Sequence, residues 1–377
     1  MEKSPRALPP RILILTLSHG ASHYRASKAL EKALLDLRPE VEVRVEDALE
    51  RSAGWFRAYY NSYEIPLKYF PSLWGWIEGI QHRSDSTGPG WLYRAGTKPL
   101  FRFIEEFDPD IVVATEIGVA EWTAMHRRQG RARYMLAGLV LMDFSRPWVQ
   151  PEVDLYQSVP GEMASELQAA GVAAEKILPC GLPIDPAFAA LPDRESTRER
   201  LGLEAGIPIV LVLFGGGGHG NSARIINELR KVRQPLQAVF VAGRNRRLEE
   251  KTRRLSAHIP RFRTLGWVEN MHEWMVAADL LLGKPGGSTV AEGFACGLPI
   301  LAIDPLPGNE RRTTGQIEKW KAGLWIRRSA EISPTIERLL TYPEELADLR
   351  RNARALARPH AARDAAQAIL ERWERGS

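Results

Sequence analysis

The sequence predicts an α/β protein made of two doubly wound parallel-sheet domains. Three observations carry that reading. Short apolar runs recur along the whole chain, segments of helical period lie between them, and each half opens with a strand feeding a loop of small residues. At 377 residues the chain has room for two domains of roughly 150–200 residues, each burying its own core.

The run "ILILTL" (12–17) reads as the first buried strand. The segment after it puts Ala26, Ala29, Leu30, Ala33, Leu34 and Leu37 on one helical face. "VEVRVE" (41–46) then alternates as a strand does, so the chain begins strand, helix, strand. "DIVVAT" (110–115), "IVLVLF" (209–214), "QAVFVAG" (237–243), "DLLLG" (279–283) and "PILAI" (299–303) continue the scheme, each bounded by Gly, Pro or polar residues. Four prolines and a charged helix-like piece in "GLPIDPAFAALPDRESTRERLGLEAGIP" (181–208) separate the two series. The cut falls at about 190–205, giving an N-terminal domain of 1–190, a C-terminal domain of 191–360, and a last helix at 361–377 that packs back on the first domain. The small-residue loops "LSHGASH" and "LFGGGGHGN" mark the two halves as similar. Facing one another, such halves leave a cleft between strand ends, where open sheets bind ligands.

Composition excludes several classes. The chain is 44% hydrophobic and 26% charged, and no apolar run approaches the ~20 residues of a membrane-spanning helix. The N-terminus lacks a cleavage pattern and reads as a strand rather than a signal peptide, which predicts a cytoplasmic location. Cys180 and Cys296 have no CxxC or His spacing, so they read as buried thiols and not as metal ligands or a disulfide. A net charge of +5 suits nucleic acid, anionic lipid or phosphate ligands, and equally a solvated arginine-rich surface. The basic runs "HRRQGRAR" (126–133) and "GRNRRLEEKTRRL" (243–255) carry no interleaved aromatics, which argues against nucleic acid.

The glycine loops carry the chemistry. Gly215, Gly217 and Gly220 formally satisfy GxGxxG, but the second strand runs into Gly243, Arg244 and Asn245 where a dinucleotide fold has an acidic residue for the ribose. Arg244 could meet a 2′-phosphate, so NADP is disfavoured rather than removed. Lys284 precedes its glycines, so no P-loop is present. In "GKPGGSTVAEGFACGLPIL" (283–301), Gly286 and Gly287 allow close backbone approach, and Ser288 or Thr289 can cap the helix. Its N–H groups and dipole then favour a phosphate. Thr289 with Glu292 also matches a T-x-x-E capping box, which would make Glu292 a local residue. Spacing alone does not choose between the two.

The segment "KPGGSTVAEGFACGLPILAIDPLPGNE" (284–310) resembles the donor-binding segment of GT-B glycosyltransferases of the murein-precursor and monogalactosyldiacylglycerol synthase group, glycosyltransferase family 28. The likeness extends through most of the chain. It implies the GT-B fold, two Rossmann-like domains across a cleft, and a UDP-sugar donor. The resemblance assigns the diphosphate to Gly286, Gly287, Ser288 and Thr289, the ribose to Glu292, and the sugar to the "PGNE" segment with Asn309 and Glu310, where the family has glutamine in place of Asn309. The loop Gly215, Gly216, Gly217, Gly218 and His219, with Arg244 and Val268, completes the donor set. "LSHGASHYRASKAL" (17–30) looks like the family's first glycine loop and helix, with Gly20, Ser22 and His23 on the acceptor side. "LMDFSRPWVQPEVDLYQSVPGEMASELQAAGVAAEKILPCGLPIDPAF" (141–188) matches at Asp143, Trp148 and residues 183–186, while two histidines common near that Trp are absent.

The resemblance implies transfer of a hexose, with inversion, from a UDP-sugar to a lipid acceptor, chiefly diacylglycerol. A base must take the proton of the acceptor hydroxyl, and Asp143 and His23 are the candidates. A free aspartate, with pKa near 3.9, needs burial or a partner to serve at pH 7. The plain alternatives are an Asp143 capping a turn and a His23 capping its helix. Helix dipole and glycine loop replace the metal of DxD transferases, so no metal or other cofactor is expected. Thirteen of the 31 aromatics lie between Trp55 and Phe103, with Arg57, Lys68, Arg83 and Arg94 nearby. Trp55, Trp74, Trp76 and Trp91 are the candidates for a surface that dips into an anionic membrane at the cytoplasmic face. An aromatic core is the competing explanation. Rival functions are transfer of N-acetylglucosamine to a polyprenyl-linked murein precursor, UDP-sugar 2-epimerisation, and a UDP-sugar sensor without turnover.

Overall fold

The computed structural model describes residues 9–17, 21–62, 89–130, 133–139, 149–215, 221–306 and 308–376. The chain divides into two units, one running to residue 186 and resuming at 360, the other spanning 187–359.

In the first unit, in chain order, lie β1 (Arg11–Thr16), α1 (Ala21–Leu37), β2 (Glu42–Asp47), α2 (Gly54–Asn61), α3 (Gly90–Gly96), α4 (Lys98–Phe107), β3 (Ile111–Ala114), α5 (Ile117–Arg128), β4 (Met135–Leu139), β5 (Leu155–Gln157), α6 (Glu162–Ala169) and β6 (Ile177–Leu178). The strands form a parallel sheet in the order β2-β1-β3-β4-β5-β6. The chain winds from β1 to β2 on one side and then crosses to β3 on the other. The winding therefore reverses between β1 and β3, the place where open α/β sheets leave a crevice at their carboxyl ends. The flanked strand β1 is apolar and buried from Ile12 to Leu15, whereas the edge strand β2 alternates and sets Glu42 against Arg11 at the start of β1, at 2.8 Å. The last helix, Ala361–Glu374, packs on α1 through the fully buried Ala361, Ala362, Ala365 and Ala366, small enough to let the two helices approach closely.

The aromatic stretch splits in two. Phe56 and Tyr93 are buried against Trp122 of α5 in edge-to-face contacts, with centroids 5.3 and 5.7 Å from its ring. Gly96 is required here, because a Cβ at that position would lie 2.2 Å from Phe56 Cγ. Phe56 and Tyr93 are core and not surface, as the competing aromatic-core explanation expects of them. Trp55, Tyr59 and Trp91 on the same two helices remain exposed.

The second unit contains α7 (Arg194–Arg200), β7 (Ile209–Leu213), α8 (Ser222–Leu229), β8 (Gln237–Val241), α9 (Arg246–Ser256), β9 (Phe262–Leu265), α10 (Met271–Ala277), β10 (Leu280–Gly283), α11 (Gly287–Ala295), β11 (Ile300–Ile303), α12 (Asn309–Lys319), β12 (Gly323–Ile326), α13 (Ile332–Thr341) and α14 (Pro343–Ala355). Its parallel sheet runs β12-β11-β10-β7-β8-β9, so this winding reverses between β7 and β10. Val210, Val212, Phe240, Leu280, Leu282 and Leu301 form the centre of its core. β7 and β10 meet so closely that a Cβ on Gly283 would sit 2.3 Å from the Leu213 carbonyl oxygen.

At the amino ends of those same two strands Asp279 ties the unit together. Its carboxylate accepts from Arg194 at 2.5 Å, Arg198 and Arg350 at 2.7 Å, and the Ile209 amide at 2.8 Å. Burial alone would raise its pKa, yet Arg194, the Ile209 amide, Arg350 and Arg198 together hold it below the ordinary carboxylate value.

The charged runs are solvated faces or local pairs. Arg127 binds Asp154 at 2.5 Å and Arg128 approaches Glu152 at 3.4 Å, while α9 buries Leu248, Thr252 and Ser256 and turns its arginines outward. Among the described residues no helix is long and apolar enough to cross a membrane.

Candidate functional site

Each sheet gathers predicted site residues where its winding reverses. In the second unit, β7 ends in Gly215, whose φ of +73° lies in the left-handed region that favours glycine. Gly216, Gly217, Gly218 and His219, which follow, lie outside the described residues. Beside it β10 ends in a tight turn in which the Gly286 amide donates to the Lys284 carbonyl at 3.0 Å, and α11 starts immediately.

The start of α11 corrects one expectation. Its N-cap is Gly286, in extended conformation at φ −65° and ψ 145°, and not Ser288 or Thr289. Those two are the second and third residues of the helix, so the T-x-x-E spacing forms no capping box. Pattern matching misplaced the cap because Gly286 supplies the non-helical turn one step earlier. An ideal Cβ on Gly286 meets no atom within 4 Å, so neither backbone strain nor packing demands glycine there. A glycine without that demand leaves open space against a helix N-terminus, which suits an anion that approaches the backbone.

Glu292 lies on the next turn of α11, buried at 4% exposure, with Ser288 buried one turn before it. Burial, and then the Glu292 charge, push the half-buried Cys296 thiol well above its ordinary pKa, so this cysteine is protonated and inert. Cys180 is buried and is pushed up to about 12, chiefly by burial and then by Asp364.

Arg244 is exposed after β8, and its guanidinium lies 4.4 Å from the ring centroid of Trp267, which follows β9 and is 43% exposed. Val268, next in the chain, is half-buried. Trp267 is the residue sequence reasoning missed; the available signal was an aromatic directly after a strand end in "TLGWV" (264–268). After β11, Gly308 at φ +84° turns the chain into α12, which begins with Asn309 and Glu310. The Glu310 carboxylate accepts from the Leu306 amide at 2.7 Å and so closes its own loop.

In the first unit, α1 follows β1 and carries Ser22 and His23 in its first turn. His23 Nδ1 lies 2.6 Å from the Thr115 carbonyl oxygen, just beyond β3. A carbonyl only accepts, so Nδ1 carries a proton and is the donor. Ser27 donates to the His23 carbonyl at 2.8 Å and sits 3.4 Å from the Thr115 hydroxyl, which braces the same turn. His23 therefore bridges the two strand ends instead of capping α1. Glu116, next after Thr115, is the cap of α5 and accepts from the Val119 amide at 3.1 Å. Gly20, Asp143, Trp148, Trp74 and Trp76 lie outside the described residues, while Trp55 and Trp91 are 50% and 67% exposed.

Comparison with known proteins follows the same division. Residues 23–184 match the family model described as monogalactosyldiacylglycerol (MGDG) synthase. A processive diacylglycerol beta-glucosyltransferase of Bacillus licheniformis is 25% identical, over 92% of this chain and 90% of that protein. Monogalactosyldiacylglycerol synthase 2, chloroplastic, of Arabidopsis thaliana is 25% identical over 96% of this chain and 80% of its own length. Among solved structures, MurG of Acinetobacter baumannii matches with a TM-score of 0.62 at 16% identity, over 96% of this chain and all of that one. Anabaena Alr3699/HepE, solved in complex with UDP-glucose, matches with a TM-score of 0.54 at 17% identity, over 96% and 98%. These structures share the GT-B fold with this chain.

Proposed function

From the chain's membership of the monogalactosyldiacylglycerol synthase and processive diacylglycerol glucosyltransferase group, we propose that it is an inverting glycosyltransferase that moves a hexose from a UDP-sugar to diacylglycerol. The observation that carries the donor half of this reading is the uncapped start of α11, with open space at Gly286 and buried Glu292 one turn on.

In that reading the donor diphosphate sits at the N-terminus of α11, on Gly286, Gly287, Ser288 and Thr289. Gly215 lies on the other side of the winding reversal, and Glu292 takes the ribose hydroxyls. Arg244, Trp267 and Val268 stand at the neighbouring strand ends, with Asn309 and Glu310 towards the sugar. The acceptor hydroxyl oxygen attacks the anomeric carbon, the bond from that carbon to the UDP oxygen breaks, and the hydroxyl proton passes to His23 or Asp143. An α-linked donor then gives a β-glycolipid. Charge building on the departing diphosphate meets the positive end of the helix, and we assign no metal to this task.

The acceptor is a membrane lipid, and the exposed Trp55 and Trp91, with the exposed Arg57 and Arg94 on the same helices, supply amphipathic and cationic contacts for a peripheral protein at the cytoplasmic face. The test is thin-layer separation of products from purified protein with diacylglycerol liposomes and UDP-glucose, UDP-galactose or UDP-N-acetylglucosamine. One donor gives a new glycolipid, and UDP release requires the lipid. Change of sugar stereochemistry without lipid would instead assign an epimerase.

A further inference from the structure

We propose that the second unit carries a separate anion site for a phosphate ester, in a groove along one face of α8. The groove encloses about 550 Å³ and is lined by Arg224, Asn227, Glu228, Arg230 and Lys231. Arg224, Asn227 and Glu228 follow helical spacing on α8, and Arg230 and Lys231 follow at its C-terminal end, where Arg230 is the cap.

Charge decides the class of ligand. Three cations face one carboxylate, and that carboxylate is buried and already held by Lys231 Nζ at 2.6 Å. Arg224 and Arg230 are exposed, so their guanidinium groups stand open to a ligand on this face. The neighbouring helix α9, packed on α8, adds the exposed Arg246, Arg247, Lys251 and Arg254 to the field of this face. Guanidinium forks with an adjacent amide match the tetrahedral oxygens of a phosphate ester, with Asn227 as the neutral donor.

The site is distinct from the donor residues, which stand at the carboxyl ends of the strands. Two sources offer this chemistry, the headgroup of an anionic phospholipid and a soluble phosphate. The lipid source rests on the function proposed above, since only a lipid-modifying enzyme works beside such headgroups.

The experiment is binding of the full chain to inorganic phosphate by calorimetry, and to phosphatidylglycerol or phosphatidylcholine vesicles by sedimentation. The triple substitution R224Q/R230Q/K231Q and the reversal R230E/K231E are compared with the parent chain, with circular dichroism to verify their fold. Binding to phosphatidylglycerol over phosphatidylcholine, weakened roughly fivefold for each cation removed, assigns a lipid headgroup. Binding to inorganic phosphate that is lost in both variants assigns a soluble anion. Binding to neither, or binding that both variants retain, overturns the proposal. Sugar transfer to diacylglycerol in neutral detergent, measured in parallel, reads the functional proposal by itself, because no anionic headgroup is present there.

Discussion

His23 Nδ1 donates to the Thr115 carbonyl oxygen at 2.6 Å, and this one bond spans the two strand ends between which the first sheet reverses its winding. It fixes the ring on a rigid part of the sheet, with Nδ1 committed to the carbonyl. His23→Ala is therefore expected to lower kcat by about 10²–10⁴-fold, the usual worth of a positioned base. UDP affinity, which depends on the second unit, stays within about twofold in calorimetry. Unchanged kcat in His23→Ala, beside a comparable loss in Asp143→Asn, would assign the proton to Asp143.

Gly286 separates a fold requirement from a donor requirement. Its φ of −65° suits any residue and its Cβ position is open, so Gly286→Ala costs only a few tenths of a kcal/mol through the poorer cap. In the proposed donor site the same methyl intrudes on the space assigned to the diphosphate, and donor KM should rise by about tenfold or more. A stable protein with an unchanged donor KM would move the diphosphate away from α11. Glu292→Gln removes the charge from a buried carboxylate that the proposed donor site assigns to the ribose hydroxyls, and should weaken UDP more than it weakens isolated diphosphate.

The sheet was legible wherever strands are long and apolar. β1, β3, β7, β8, β10 and β11 are buried on both faces and read directly as hydrophobic runs. β5 and β6 have three and two residues, too few for a period, and exist because a neighbouring strand supplies their hydrogen bonds. β9 carries Arg263 at a sheet edge, where that side chain reaches the Leu201 and Gly202 carbonyls across the unit. Contacts so distant in sequence leave no local pattern. The turn and helix start after β10 were legible from the glycines, but the cap was not, since Gly286 and Thr289 both fit a helix start on spacing alone. Trp267 with Arg244 required the adjacency of β8 and β9, which no spacing within one strand reveals.

Turnover should persist in EDTA and should not rise with added Mg²⁺ or Mn²⁺. In the proposed mechanism the α11 N-terminus receives the charge of the departing diphosphate, which is the role a metal plays in DxD transferases. Abolition by EDTA and rescue by one of these ions would remove that assignment.

Trp55 and Trp91 project from helices whose buried partners, Phe56 and Tyr93, hold them on the Trp122 cluster. Replacing both exposed tryptophans by alanine should leave Tm nearly unchanged and reduce flotation with anionic liposomes by about tenfold, since each indole loses its interfacial contact. Flotation equal to the parent chain would show that the membrane contact lies elsewhere.

Asp279 sets the acid sensitivity of the second unit. Asp279→Asn leaves Arg194, Arg198 and Arg350 crowded without their counter-charge at the amino ends of β7 and β10, and should cost about 2–4 kcal/mol. Tm should fall by roughly 5–15 °C. The folded carboxylate lies below its ordinary pKa, so the stability it contributes is fully present above the unfolded value of about 4. It is lost as pH falls from there through the folded value. Denaturant titrations should accordingly show a constant gap between the parent chain and Asp279→Asn from about pH 5 to 8, and a narrowing gap below about pH 4. A gap that stays constant down to pH 3 would mean that the carboxylate keeps its charge there, bound more tightly than the described bonds require.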